Sequence, residues 1–203
     1  MKVLVRPPQL LRSFYKGSLW RIDKTQPIIY LTFDDGPIPE ITPWVLDVLS
    51  QYQVKATFFC VGENISKNPE LFDRLLKEGH QIGNHTYNHI KGWKVNKARY
   101  LDNIEKCQDL TKTNLFRPPY GRIKKSQFKL LLKDYRVVFW DVLSYDYDSL
   151  ITPKKCLDNS IKYTRNGSII VFHDSIKAQK NLKFALPHYI EHFLKLNYKF
   201  ATL

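Results

Sequence analysis

Two adjacent carboxylates, Asp34 and Asp35, close the apolar run Ile28-Ile29-Tyr30-Leu31-Thr32-Phe33 and are followed by Gly36-Pro37. Neighbouring side chains of a strand point to opposite faces, so both acids reach one site only if the backbone leaves strand geometry, which Gly-Pro permits. His85 and His89 are four residues apart, and one helical turn across them would put both imidazoles on one side. Asp35 with this pair supplies two nitrogens and one oxygen and leaves positions for water and substrate, the donor pattern of a catalytic zinc site. With Asp35 as ligand, Asp34 is left beside the ion's water, able to take its proton. A solvated Asp-Gly turn and a chance histidine pair are the plainer alternatives, so the other polar residues have to decide.

Arg117 sits in the rigid stretch Arg117-Pro118-Pro119-Tyr120-Gly121. A cation next to Asp34 would keep that acid ionised and ready to act as a base. Near such a turn the Tyr120 N–H is a candidate donor to a developing oxyanion. His173 ends the run Ile169-Ile170-Val171-Phe172, and Asp146 is available from the preceding strand end. In contact, the carboxylate would stabilise the imidazolium and make His173 a general acid for an amine leaving group. Trp140, Tyr147 and Val171 then form an apolar wall suited to an acetyl methyl or a sugar face.

These residues need a frame that gathers them. Apolar, β-branched and aromatic runs predict strands near 28–33, 55–61, 80–83, 114–116, 135–143, 168–172 and 199–202. Helical periodicity, with prolines in several first turns, predicts helices near 42–52, 69–78, 96–112, 125–133, 152–164 and 182–194. The polar stretch 84–95 reads as a loop with one helical turn. This alternation implies a parallel sheet with helices outside, either doubly wound or closed. Asp34, Asp35, His85, His89, Arg117, Tyr120, Asp146 and His173 all fall just beyond strand C-termini. An open sheet would hold its edge strands apart, whereas a barrel brings all the ends to one mouth. The expected architecture is a distorted seven-stranded (β/α) barrel over 28–203, with 1–27 as an N-terminal extension packed on it.

The 203 residues suffice for one domain with a real core, and 43% hydrophobic content with 12 Phe, 12 Tyr and 4 Trp argues against disorder. A net charge of +13 favours anionic partners, whether nucleic acid, anionic lipid or acidic glycan. No basic arm or nucleic-acid signature accompanies it, so no specific nucleic-acid partner is expected. Cys60, Cys107 and Cys156 are far apart and lack a Cys-x-x-Cys pair, which suggests neither a disulfide framework nor a thiolate metal site. Arg6, Pro7 and Pro8 interrupt the apolar start Val3-Leu4-Val5, so the N-terminus lacks a signal peptide's apolar core. The expectation is a cytoplasmic or membrane-peripheral protein, and the mixed apolar and basic stretch 9–22 is a candidate for lying on a membrane surface.

In order, Thr32-Phe33-Asp34-Asp35-Gly36, His85-Thr86-x-x-His89, Arg117-x-Pro119-Tyr120, Ser144-x-Asp146-Tyr147 and Val171-x-His173 resemble the five motifs of the NodB-homology polysaccharide deacetylases, carbohydrate esterase family four. The resemblance implies one divalent metal, zinc first with cobalt or another divalent ion as alternatives, held by Asp35, His85 and His89. It also implies a base at Asp34 assisted by Arg117, an oxyanion donor at Tyr120, and an acid at His173 tuned by Asp146. The reaction so implied is hydrolysis of an acetamide on an N-acetylhexosamine unit of a glycan or glycolipid. Tyr147 stands where the family usually has Trp, and Val171 where it usually has Leu.

Three other functions start from the same residues: a de-O-acetylase on the same site, a non-haem iron(II) oxygenase and a non-catalytic glycan-binding protein. Two His and one carboxylate also describe the iron triad. Asp34 and the Asp146–His173 pair have work in hydrolysis and none in oxygen chemistry.

Overall fold

The computed structural model describes residues 4–203; the first three residues of the predicted extension, part of the stretch assessed as a leader, lie outside the described residues. After a short helix α1 (Gln9–Phe14), the chain enters β1 (Ile28–Asp34), whose residues are buried from Ile29 onward. There follow α2 (Thr42–Gln51), β2 (Thr57–Cys60), α3 (Gly62–Lys67), α4 (Pro69–Lys77), β3 (Gln81–Asn84), α5 (Lys97–Thr111) and β4 (Leu115–Phe116). The second half comprises α6 (Lys125–Leu131), β5 (Arg136–Val137), β6 (Val142–Leu143), α7 (Pro153–Tyr163), β7 (Ile169–His173), α8 (Gln179–Lys195) and β8 (Lys199–Ala201). Prolines open α2, α4 and α7, where a missing N–H costs nothing because first-turn amides have no partner inside the helix.

Seven parallel strands neighbour one another in the order β5-β4-β3-β2-β1-β7-β6, with β8 beside the first half of β1. The sheet curls into a distorted seven-stranded (β/α) barrel that stays open between β5 and β6. On one face of β1, Ile29, Leu31 and Phe33 join the cluster formed with Val45 and Leu49 of α2 and Leu182, Leu186 and Tyr189 of α8. On the other, Tyr30 packs with Phe59, Leu115, Val138 and Ile169. Register then sets the site: Asp34 stands opposite Phe59 of β2 and His173 of β7.

The stretch 135–143 is not the single strand its apolar composition suggests. Val138 N–H donates to Phe116 on the β4 side (2.8 Å) and Asp141 N–H to Ile169 on the β7 side (2.9 Å). One extended segment cannot serve both edges, so the chain breaks into two short strands and crosses the seam. Leu143 N–H meets the Val5 carbonyl (2.9 Å), and Leu19 exchanges bonds with Val137 and Phe139 (2.8 Å each), so residues before β1 line both lips of the seam. Only six residues of the 9–22 stretch are helical; Leu10 and Phe14 face solvent, whereas Tyr15 and Trp20 are buried against Phe139. No helix of the described residues is long and apolar enough to cross a membrane.

Candidate active site

The turn after β1 is held from three sides. Asp35 takes φ +89°, which turns its side chain out of strand alternation. Asn64 of α3 donates to the Asp35 carbonyl (2.7 Å), and Val61 N–H donates to that of Gly36 (3.0 Å). Asp174 completes the support: its Oδ1 accepts from Gly36 N–H (3.0 Å) and its Oδ2 from the Thr42 hydroxyl (2.6 Å). Burial pushes the Asp174 carboxyl up to about 8. A β-carbon on Gly36 would lie 1.8 Å from Asp174 Oδ2, so only glycine fits. Gly36→Ala is therefore expected to displace Asp35 and lower the thermal midpoint measured by calorimetry; an unchanged midpoint and metal affinity would contradict this packing.

His85 and His89 do not share a helical turn. They lie in a loop in which Thr86 (φ +64°) and His89 (φ +52°) are left-handed, and the one short helical turn nearby covers Gly92–Lys94. Side chains and neighbouring amides replace the helical bonds. Asn84 Oδ1 accepts from Thr86 N–H (2.9 Å), and Asn103 Oδ1 from Tyr87 (2.9 Å) and Asn88 (3.0 Å). Gly62 and Glu63 at the start of α3 donate to the carbonyls of Thr86 (3.0 Å) and Tyr87 (2.8 Å). A β-carbon on Gly62 would approach the Tyr87 ring to 2.6 Å. Helix α3, with Ile65 its one buried large apolar residue, thus supports both the acid turn and the histidine loop. The sequence pattern gave no reason to expect it.

His85 is buried, and its Nδ1–H donates to the Arg117 carbonyl (2.7 Å), which can only accept. That bond leaves the Nε2 lone pair free. Burial draws the His85 pKa down to about 4 against the attraction of Asp34 and Asp35, so the ring is neutral near pH 7. Asp35 Oδ1 lies 3.2 Å from His89 Nε2 and 3.9 Å from His85 Nε2. Burial favours the neutral acid, yet the His89 bond and the charges of His173 and His89 hold Asp35 well below the usual carboxylate range. The three donor atoms lie within 4.8 Å of one another. A free imidazole lone pair with a second imidazole and an ionised carboxylate is a donor set that suits a divalent transition metal.

Arg117 is fully buried inside the barrel. Its guanidinium donates to Asp34 Oδ1 (2.6 Å), to Thr32 Oγ1 (2.8 Å) and to the carbonyls of Phe139 (3.0 Å) and Val138 (3.4 Å), and lies 4.0 Å from the Phe59 ring centroid. It thus joins Asp34 to the chain crossing the seam. Asp34 Oδ2 is 3.9 Å from His85 Nε2, which puts both aspartates at one locus.

Across the mouth, Asp146 grips His173 twice, accepting from Nδ1–H and from the backbone N–H at 2.7 Å each. Burial alone would lower the His173 pKa, but Asp146, Asp35 and Asp34 push it up to about 9. Tyr147 packs edge-on against this imidazole, with ring centroids 4.8 Å apart. Asp34, Asp35, His85, His89, Tyr120, Trp140, Tyr147, Val171 and His173 all line one cavity of about 600 Å³; Arg117 and Asp146 stand behind it. Tyr120 is left-handed (φ 60°), its ring packs on His89, and its amide donates to no group among the described residues. Leu143 and Ile176 extend the apolar wall. They are ordinary hydrophobic residues with no sequence signal beyond their position near strand ends.

Residues 21–138 match the polysaccharide deacetylase family. A peptidoglycan-N-acetylglucosamine deacetylase of Bacillus cereus is 34% identical over 192 residues, covering 91% of this chain and 90% of the relative. The peptidoglycan-N-acetylmuramic acid deacetylase PdaC of Bacillus subtilis is 35% identical over 162 residues, 75% of this chain but 33% of that longer protein. Among solved structures, the Bc1960 peptidoglycan N-acetylglucosamine deacetylase in complex with 4-naphthalen-1-yl-N-oxidanyl-benzamide superimposes with a TM-score of 0.88 at 33% identity, covering 92% of this chain and 91% of that one.

Proposed function

Because the chain belongs to the polysaccharide deacetylase family, the NodB-type carbohydrate esterases, we propose that it is a metal-dependent glycan de-N-acetylase acting on N-acetylhexosamine units. The observation that carries this is the meeting of Asp34, Asp35, His85, His89 and His173 around one cavity. Asp35, His85 and His89 would hold a divalent ion, zinc first with cobalt or another divalent ion as alternatives. When bound, such an ion lowers the pKa of a coordinated water and polarises the acetamide carbonyl.

The protein's own groups do the rest. Asp34, fixed by Arg117, accepts the water's proton. The Tyr120 N–H donates to the oxygen on which negative charge develops. His173, held as imidazolium by Asp146, gives its proton to the departing amine nitrogen so that acetate and a free amino sugar leave. Trp140, Leu143, Tyr147 and Val171 exclude water around the acetyl methyl.

The test is acetate release from N-acetylglucosamine oligomers, peptidoglycan fragments and O-acetylated glycans after chelation and again after zinc or cobalt is restored. Activity lost on chelation and regained with metal on the N-acetyl substrates is expected; metal-independent activity, or release from the O-acetyl substrates alone, would overturn the proposal. The pH profile gives a second check. kcat/KM should fall at alkaline pH as His173 loses its proton, and in Asp146→Asn that limb should move to lower pH because burial is then opposed less. The sign for stability is the same. A histidine whose folded pKa is raised stabilises fully below its unfolded value of about 6.5, and this contribution is lost as pH rises through about 9. An alkaline limb unmoved in Asp146→Asn would count against His173 as the acid.

A further inference from the structure

We propose that four arginines gathered around Asp141 where the chain crosses the seam, Arg6, Arg12, Arg21 and Arg165, form a binding site for a phosphate group, separate from the cavity at the mouth. Three of them meet on one buried carboxylate: Arg12 Nη2 lies 2.6 Å from Asp141 Oδ1, Arg165 Nε 3.0 Å from Oδ2 and Arg6 Nε 3.5 Å from Oδ1. Arg21 joins from the side. It pairs across to Ser168, whose hydroxyl donates to Asp141 Oδ2 (2.8 Å), and its Nε donates to the Asn166 carbonyl (2.6 Å). Asp141 N–H donates to Ile169, the first residue of β7, whereas His173 is the last, so about 13 Å of strand separates this level of the barrel from the mouth. None of the four arginines lines the cavity.

Burial favours a neutral Asp141, yet bonds from Arg165, Arg12 and Ser168 hold it below the usual carboxylate range, so it is ionised. Among the described residues it is the only acid in an ion pair with any of the four, and four guanidiniums against one carboxylate leave three positive charges unmatched. Burial and the neighbouring guanidiniums lower the pKa of Arg6 and Arg21 from the ordinary arginine value. An arriving anion relieves that repulsion. Arg12, Arg165 and Ser168 already satisfy Asp141, so Arg6 and Arg21 are not needed to hold it. Their donors are to hand: Arg6 Nε is buried and makes no hydrogen bond, and of the Arg21 nitrogens only Nε has a partner among the described residues. The Arg6 and Arg165 side chains are 31% and 41% exposed, which opens the cluster to solvent. A phosphate suits it better than a second carboxylate, because its extra charge and extra oxygens let one group bridge guanidiniums carried by separate segments.

The probe is inorganic phosphate, titrated at fixed ionic strength into the metal-loaded full chain after dialysis has removed excess ion, and followed by calorimetry. Binding with a Kd below about 1 mM is expected. It should weaken about tenfold or more in Arg21→Gln and in Arg6→Gln, yet persist in His89→Ala, where the cavity's own ion is lost. Unchanged circular dichroism of the variants keeps lost binding distinct from lost fold, and Arg21→Gln, which gives up a single hydrogen bond, carries the test should Arg6→Gln not fold. Sedimentation with phosphatidylcholine vesicles, with and without phosphatidylglycerol, then identifies the carrier. Retention on the anionic vesicles that Arg21→Gln abolishes assigns the site to a lipid headgroup, whereas phosphate binding without retention assigns it to a soluble phosphate. No binding of either probe, binding that both arginine substitutions leave intact, or binding lost in His89→Ala would overturn the proposal.

Discussion

Asp34→Asn is expected to keep the protein folded and metal-bound while lowering kcat on the order of 10³-fold, within the span that positioned general bases contribute. Asparagine has nearly the same shape, and its carbonyl can still accept from Arg117 Nη1, which now sits 2.6 Å from Asp34 Oδ1. What it cannot do is take a proton. His89→Ala should behave differently. It removes a nitrogen donor whose side chain is 28% exposed, so the fold tolerates the change while metal affinity falls. Metal content after dialysis, set beside acetate release, separates the two. Equal metal loss in both variants would contradict the division of labour between Asp34 and Asp35.

The largest loss of stability is expected from Arg117→Met. Methionine fills most of the space but makes none of the four side-chain hydrogen bonds, so Asp34 and the Phe139 carbonyl are left buried without their donor. Removing one partner of a buried ion pair costs about 3–5 kcal/mol. In a domain of this size that lowers the thermal midpoint on the order of 10 °C. Calorimetry on the single variant and on Asp34→Asn/Arg117→Met supplies the decisive comparison, because the double variant leaves no unpaired charge and should recover part of the loss. A single-variant cost below about 1 kcal/mol would show that Arg117 is not what ties the interior together.

Much of the barrel was legible because buried parallel strands are written as dense β-branched and aromatic runs, and β1 and β7 follow that rule closely. Polar residues just past those runs marked the mouth. The failures have physical causes. Residues 135–143 look like one strand because apolarity reports burial and not which edge each amide must serve. The spacing of His85 and His89 suggests one helical turn, but side-chain bonds from Asn84 and Asn103 offer the backbone an alternative that spacing cannot reveal. Asp174 lay one residue past the last motif; its role depends on a close approach to Gly36 from a strand far away in sequence. Val5 and Leu19 belong to the N-terminal extension expected to pack on the barrel, and their edge bonds to β6 and β5 need three-dimensional register to be seen.

The placement of Val5 and Leu19 has a consequence for synthesis. These residues emerge from the ribosome well before residues 137–143, the edges they join, have been translated. Until then Leu19 and Trp20 have no berth, so the nascent chain carries sticky surface while residues 21–136 are made. Closure is a late, long-range event that ties folding speed to the return of the segment before β1, and products truncated before residue 137 should depend on chaperones more than those that include it.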